Sequence, residues 1–230
     1  MENEKKGKAA NYVVGTIVLV FVVIGIVSVV NAVVGRVKKA TDDTAKLREY
    51  ESFIYPVVMN DPDTFDDVSK ADQGQLIAIS IWSILRSNLS ADKYDYSSEG
   101  MLIPKEDVEK AFEKLFSSET KVQHASVDGG GIEFKYSEKK GKYIIPITGI
   151  TPLFTPSVLE AKERNDSVVL TVGYLSGDDW EQDENGGLVK PEPSKYVTIT
   201  LRKSDGSYYV SALRSADPPS VVTTEAKKAS

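Results

Sequence analysis

The chain has 230 residues, of which 27% are charged and 41% hydrophobic, with a formal net charge of −6, one His and no Cys. The lack of Cys excludes disulfides, thiol catalysis and thiolate metal sites. Residues 1–39 carry six basic against two acidic side chains, a net of +4, and the remainder carries 22 basic against 32 acidic, a net of −10. So acidic a body repels phosphate backbones, and no nucleic-acid partner is expected.

A short basic tail, residues 1–12, precedes Val13–Val34, a run of 22 positions with no ionisable side chain that includes 11 Val and 3 Ile. In water such β-branched content suggests a strand, but in lipid an isolated segment must satisfy its backbone internally, which requires a helix. At about 1.5 Å per residue the helix spans roughly 33 Å, enough for a hydrocarbon core of about 30 Å. The run therefore predicts a transmembrane helix over 13–35, with the lipid bilayer as the partner of Val13–Val34. It is longer than the apolar core of about 7 to 15 residues in a cleaved signal peptide, although Val30-Asn31-Ala32 has the form of a degenerate cleavage site; an uncleaved signal anchor is the reading. Gly25, Ser28, Ala32 and Gly35 line one helix face, an arrangement found in close-packed dimers and also common by chance. Lys5, Lys6 and Lys8 before the run balance Arg36, Lys38 and Lys39 after it, so flanking charge does not orient the span. A short basic tail ahead of a long domain predicts a cytoplasmic N-terminus, with the C-terminal domain outside the cell membrane. A cysteine-free extracytoplasmic domain suits a bacterium better than a eukaryotic secretory route.

Residues 41–215 read as an α+β domain. A first helix starts near Thr41 to Thr44, carries Leu47, Tyr50, Ile54 and Val57 at helical spacing, and is expected to bend or end at Pro56. Asn60-Asp61-Pro62-Asp63 reads as a turn. A second helix runs from about Ala71 to Asn88, with Ile77, Ile81, Ile84 and Leu85 as its apolar stripe and Trp82 beside it. The third follows Pro104, a residue suited to a first turn, and aligns Val108, Phe112, Leu115 and Phe116.

From Gly129 the period changes from about 3.6 to 2. Ile132, Phe134 and Tyr136 alternate with Glu133 and Lys135, and the chain turns at 137–141 into a strand over 142–147. Residues 158–164 and 167–175 form a second hairpin about Asn165-Asp166, and 195–203 and 207–213 a third, with Val197, Ile199 and Leu201 on one face. These six strands predict one antiparallel sheet covered on one face by the three helices. Residues 216–230, with Pro218-Pro219, are expected to form a disordered tail.

Three helices followed by long antiparallel hairpins resemble the nuclear transport factor 2-like, cystatin-like group of α+β folds over residues 41–215. The resemblance is one of element order, without a shared motif. It implies a cone between helices and sheet that can hold a ligand or an enzyme site, or sheets that pack into dimers. Single-span proteins carrying such a domain are similar to the scaffold subunits of bacterial conjugation and secretion machines.

Residues suited to chemistry are few. His124, beside Gln123 and near Asp128, has no nucleophile pattern around it and reads as a surface or capping residue. Gly129-Gly130-Gly131 lacks the Lys of a phosphate loop and reads as a flexible entry into a strand. The acidic loop 178–187, from Asp178 to Gly187 and including Trp180, offers oxygen ligands, but counted from Asp179 it has Glu184 where an EF-hand requires Gly. It reads as a solvated loop, with calcium binding and a protein contact through Trp180 as the other possibilities. Tyr208 and Tyr209, with Tyr196, form either an aromatic surface or residues on alternate strand faces. No catalytic, cofactor-binding or metal residue is singled out, and no cofactor is expected. The expected function is a protein-interaction or assembly module of the cell envelope that binds a protein partner or a second copy; the alternative is a small-ligand binder or enzyme using the cone.

Overall fold

The computed structural model describes residues 43–87, 93–117, 119–147, 152–204 and 206–219. The chain divides into two compact units, Met1–Lys46 and Leu47–Ser230, and the second contains all the sheets. Among the described residues no helix is long and apolar enough to cross a membrane, which corrects the expected transmembrane element and the membrane class drawn from it. Val13–Val34, on which both rested, lie outside the described residues.

Three α-helices stand out among the described residues. α1, residues 43–60, continues through Pro56 rather than ending there, and stops at Asp61, which has φ of 46° and whose N–H donates to the carbonyls of Val57 and Val58. α2 spans Gln73–Arg86, and the Asp72 carboxylate caps it by accepting the Gln75 N–H at 2.8 Å. α3 spans Lys105–Phe116 directly after Pro104, with Glu106 and Asp107 in its first turn, where acids complement the helix dipole.

Among the described residues eleven strands form three antiparallel sheets, where one sheet of six was expected. The first has the order β1 (Tyr96–Ser97), β2 (Gly100–Pro104), β5 (Lys142–Ile145), β4 (Glu133–Ser137), β3 (Val127–Asp128). The second has the order β11 (Ser207–Ala216), β10 (Lys195–Ser204), β7 (Ser167–Ser176), β6 (Phe154–Glu163). β8 (Glu181–Gln182) and β9 (Leu188–Val189) form a small separate ribbon. The additional strands have a physical reason for escaping notice. β1, β3, β8 and β9 have two residues each, too few to show a period of 2, and β2 lies in the helical half of the chain. Ala216, expected in the tail, closes β11, and residues 220–230 lie outside the described residues.

One apolar core joins these layers. Val108, Phe112, Leu115 and Phe116 of α3 are all buried, as are Val197, Ile199 and Leu201 of β10, each set on the face its spacing predicted. α2 packs on α3 and β3, and α3 packs on β2 and β11. The cone implied by the cystatin-like resemblance would lie in this interior. Ile54, Phe112, Phe116, Leu170 and Ile199 fill it, each 0% exposed.

Candidate functional site

β10 alternates strictly. With Val197, Ile199 and Leu201 turned inward, Thr198, Thr200 and Arg202 face outward, and on β11 Tyr209 and Ser211 share their groove. A β-bulge between Thr200 and Leu201, opposite Ser211, re-aims β11, and the Ser211 hydroxyl donates to the Thr200 carbonyl at 3.1 Å. The result is an open polar groove of about 710 Å³, walled by residues 66–69 on one side and by Ser117, Glu119 and Thr120 on another. Arg164, Arg202 and Arg214 reach it, as do Asp66, Asp67, Asp166 and Glu119. Arg214 is paired with Asp66. Hydrogen bonds from the Ser69 N–H and hydroxyl hold the Asp67 carboxyl below the usual carboxylate range. Mixed charges over a floor of hydroxyls suit a polar protein surface better than a simple anion.

The far end of the same face is covered. The return from β9 lays Pro193 so close over Gly173 that a Cβ there would lie 2.6 Å from the Pro193 ring. Lys190 donates to the buried Ser157 hydroxyl at 2.7 Å. Ser157 thus has a Lys partner, as in Ser–Lys hydrolases, but its hydroxyl is enclosed while Lys190 stands in solvent, the reverse of an accessible nucleophile beside a buried base.

Both edges of this sheet are interrupted at specific points. The backbone of Phe65 bridges Leu213 on β11 through hydrogen bonds of 2.8 and 2.9 Å. On β6, Pro156 offers no N–H, the Val158 N–H is taken by Glu51 of α1 at 2.8 Å, and the register shifts by one residue at Leu159.

His124 is drawn into a network rather than standing as a surface residue. Its Nδ1 lies 3.0 Å from the Tyr143 hydroxyl and its Nε2 lies 2.9 Å from Glu109 Oε1 on α3, and its ring stacks on Tyr136 at 5.1 Å. Burial pushes the Tyr143 phenol up, an effect opposed by the Ala125 backbone N–H bonded to its oxygen and reinforced by Tyr136 and Glu109. Asp128 does not join this network. Its carboxylate accepts the Gly131 N–H at 2.7 Å, closing a β3–β4 turn in which Gly130 and Gly131 both have φ of 87°. Gly130 and Gly131 therefore form the tip of a hairpin turn, a role only residues free to adopt positive φ fill without strain.

Two further clusters lie apart. Lys195 pairs with Asp61, and its ammonium sits 4.7 Å from the Tyr174 ring centre and 5.0 Å from that of Phe154. Burial raises the Tyr174 phenol, with Asp61 adding to the effect, and its hydroxyl has no hydrogen-bond partner among the described residues. An apolar groove of about 340 Å³ lies between Trp82, Leu85, Tyr96, Met101, Phe134 and Ile147.

In the acidic loop, Asp183 Oδ1 accepts the N–H groups of Asn185 and Gly187 and so closes the loop's own turn. Among the described residues no three His, Asp or Glu side chains are grouped to hold a metal ion. Trp180 is half-buried, whereas Leu188 and Val189 on β9 are exposed. Tyr208 packs edge-on against Tyr50 and Tyr209 faces the groove, so the two occupy alternate faces. Tyr196 pairs with Ala216 at the opposite end of the hairpin, which separates it from both.

Comparison with protein-family models, with curated proteins and with solved structures finds no match to this chain. The fold and its surface define the class: an α+β domain with a filled interior, interrupted edges on its four-stranded sheet and an open polar sheet face.

Proposed function

We propose that this domain is a protein-interaction or assembly module that receives a partner protein, or a second copy of itself, on the outward face of the β11-β10-β7-β6 sheet. One contrast carries the reading. The space between helices and sheets is filled by large side chains, while an open polar concavity lies on the solvent face, floored by Thr198, Thr200, Arg202, Tyr209 and Ser211. Tyr and Arg are the residue types that most often anchor protein contacts. A small-ligand enzyme would need an open interior with converging acids and bases, and the side chains that fill the interior are predominantly apolar. Because β6 and β11 are interrupted as edges by Phe65, Pro156, Glu51 and a bulge, the partner meets side chains rather than adding a strand.

The lack of Cys makes a clean experiment available. A single Thr200→Cys substitution, carrying a thiol-linked photo-crosslinker in the full chain inside its native cell, should yield a protein-sized adduct. Glu138→Cys, on an exposed turn of the other sheet, should not. Adducts from the Glu138→Cys variant with none from Thr200→Cys would sink the reading.

A further inference from the structure

We propose that Asn185 is a site of spontaneous backbone modification and that Asp183 sets its rate. Asn185-Gly186 is the one Asn-Gly pair in the sequence. It lies at the exposed tip of the β8–β9 ribbon. Gly186 has φ of 78°, and beyond its chain neighbours no atom of a described residue stands within 4 Å of where a Cβ would be. The following residue supplies the nucleophile in this reaction, and a glycine leaves that amide nitrogen unshielded by any side chain.

The chemistry needs only water and a base from solvent. The Gly186 nitrogen gives up its proton and attacks Cγ of Asn185. The new N–Cγ bond closes a five-membered succinimide, and the Cγ–Nδ2 bond breaks with release of ammonia. Water then opens the ring. Addition at Cγ breaks the N–Cγ bond and leaves aspartate in an unaltered main chain. Addition at the Asn185 carbonyl carbon breaks its bond to the Gly186 nitrogen and leaves isoaspartate, in which the main chain runs through Cβ and Cγ.

The folded loop restrains the first step. The Gly186 N–H is donated to the Asp183 carbonyl at 2.9 Å, and the Asp183 N–H to the Gly187 carbonyl at 2.8 Å. Asp183 Oδ1 accepts the Asn185 N–H at 2.9 Å and the Gly187 N–H at 2.7 Å. One carboxylate thus pins the backbone on both sides of the reacting bond. Attack requires the Gly186 nitrogen to leave its carbonyl partner and turn toward Cγ, a rearrangement that the two side-chain bonds oppose. Isoaspartate lengthens the main chain by one atom inside this turn, so its formation disrupts the register that pairs Gln182 with Leu188. The modification is independent of what the polar groove binds.

Peptide mapping by mass spectrometry of the full chain, held at mildly alkaline pH, tests this. Asn185 should show the exchange of NH2 for OH, with aspartate and isoaspartate products resolved by chromatography, ahead of Asn60 and Asn165, which precede Asp61 and Asp166. Asp183→Ala should speed the reaction of the folded chain roughly threefold to tenfold, the effect of losing a hydrogen bond. In denaturing urea the turn is absent, so variant and parent should react at one rate, faster than the folded parent. Earlier reaction at Asn60 or Asn165, no acceleration in folded Asp183→Ala, or an acceleration that persists in urea would each overturn the proposal.

Discussion

Glu51 on α1 accepts the backbone N–H of Val158 on β6, 107 positions away in sequence, at 2.8 Å. One carboxylate thus ties the first helix to an outer strand of the four-stranded sheet and occupies a donor that an incoming strand would use. Glu51→Ala should lower stability by about 1.5 to 3 kcal/mol, the range for a hydrogen bond to a charged group, read as a lower urea midpoint. Because Val158 is buried, its orphaned N–H adds a second effect, concentration-dependent self-association seen by sedimentation. A variant that stays monomeric with an unchanged midpoint would show that this contact does not guard the edge.

Trp82 on α2 makes a comparable tie to the five-stranded sheet, donating its indole N–H to the Gly129 carbonyl at 3.0 Å while its ring lies 5.4 Å from Phe134. Trp82→Phe keeps most of the packing and leaves a buried carbonyl without its donor. The expected loss is about 1 to 3 kcal/mol, and amide exchange should accelerate first in the 129–131 turn. Uniform acceleration across the domain would argue against a local role.

Lys93 donates to Asp107 at 2.8 Å and the Tyr94 hydroxyl donates at 2.9 Å, and the lysine, then the tyrosine, hold the Asp107 carboxyl below its usual range against the opposing effect of burial. A carboxylate with a lowered folded-state pKa contributes stability above its unfolded value and loses it as pH falls through the folded value. Asp107→Asn should therefore be less stable than the parent at neutral pH, and the two should converge in acid, below the ordinary carboxylate range. Equal stability at pH 7, or a gap that widens in acid, would contradict this assignment.

The approach of Pro193 to Gly173 makes the covering return from β9 sensitive to one methyl group. Gly173→Ala should push residues 190–194 off the sheet, break the Lys190–Ser157 hydrogen bond and speed proteolytic cleavage within 181–193, with the core little changed. Cleavage at the parent rate would mean the return yields without detaching.

The helical stripes and the long strands were legible because each is a property of a single element. Phe112 and Phe116 fall four apart on one helix face, and Thr198 and Thr200 alternate with Val197, Ile199 and Leu201, so even the floor of the polar groove could be read from spacing. Pro104 marked the start of α3 for the equally local reason that its fixed φ suits a first turn. Pro56 misled because tertiary packing holds α1 together beyond it.

What the sequence alone determined, then, is the class of each periodic segment, the side that faces inward, and a chemistry without thiols. The tertiary structure alone decided that the strands divide into separate sheets, that the interior is filled rather than open, and that His124 meets Glu109 and Tyr143 while Lys195 meets Asp61, 134 positions away. Periodicity reports how one element presents itself to its surroundings. Contacts between distant elements depend on how whole layers pack, and two-residue strands exist only because a neighbour supplies their hydrogen bonds, so neither leaves a local trace.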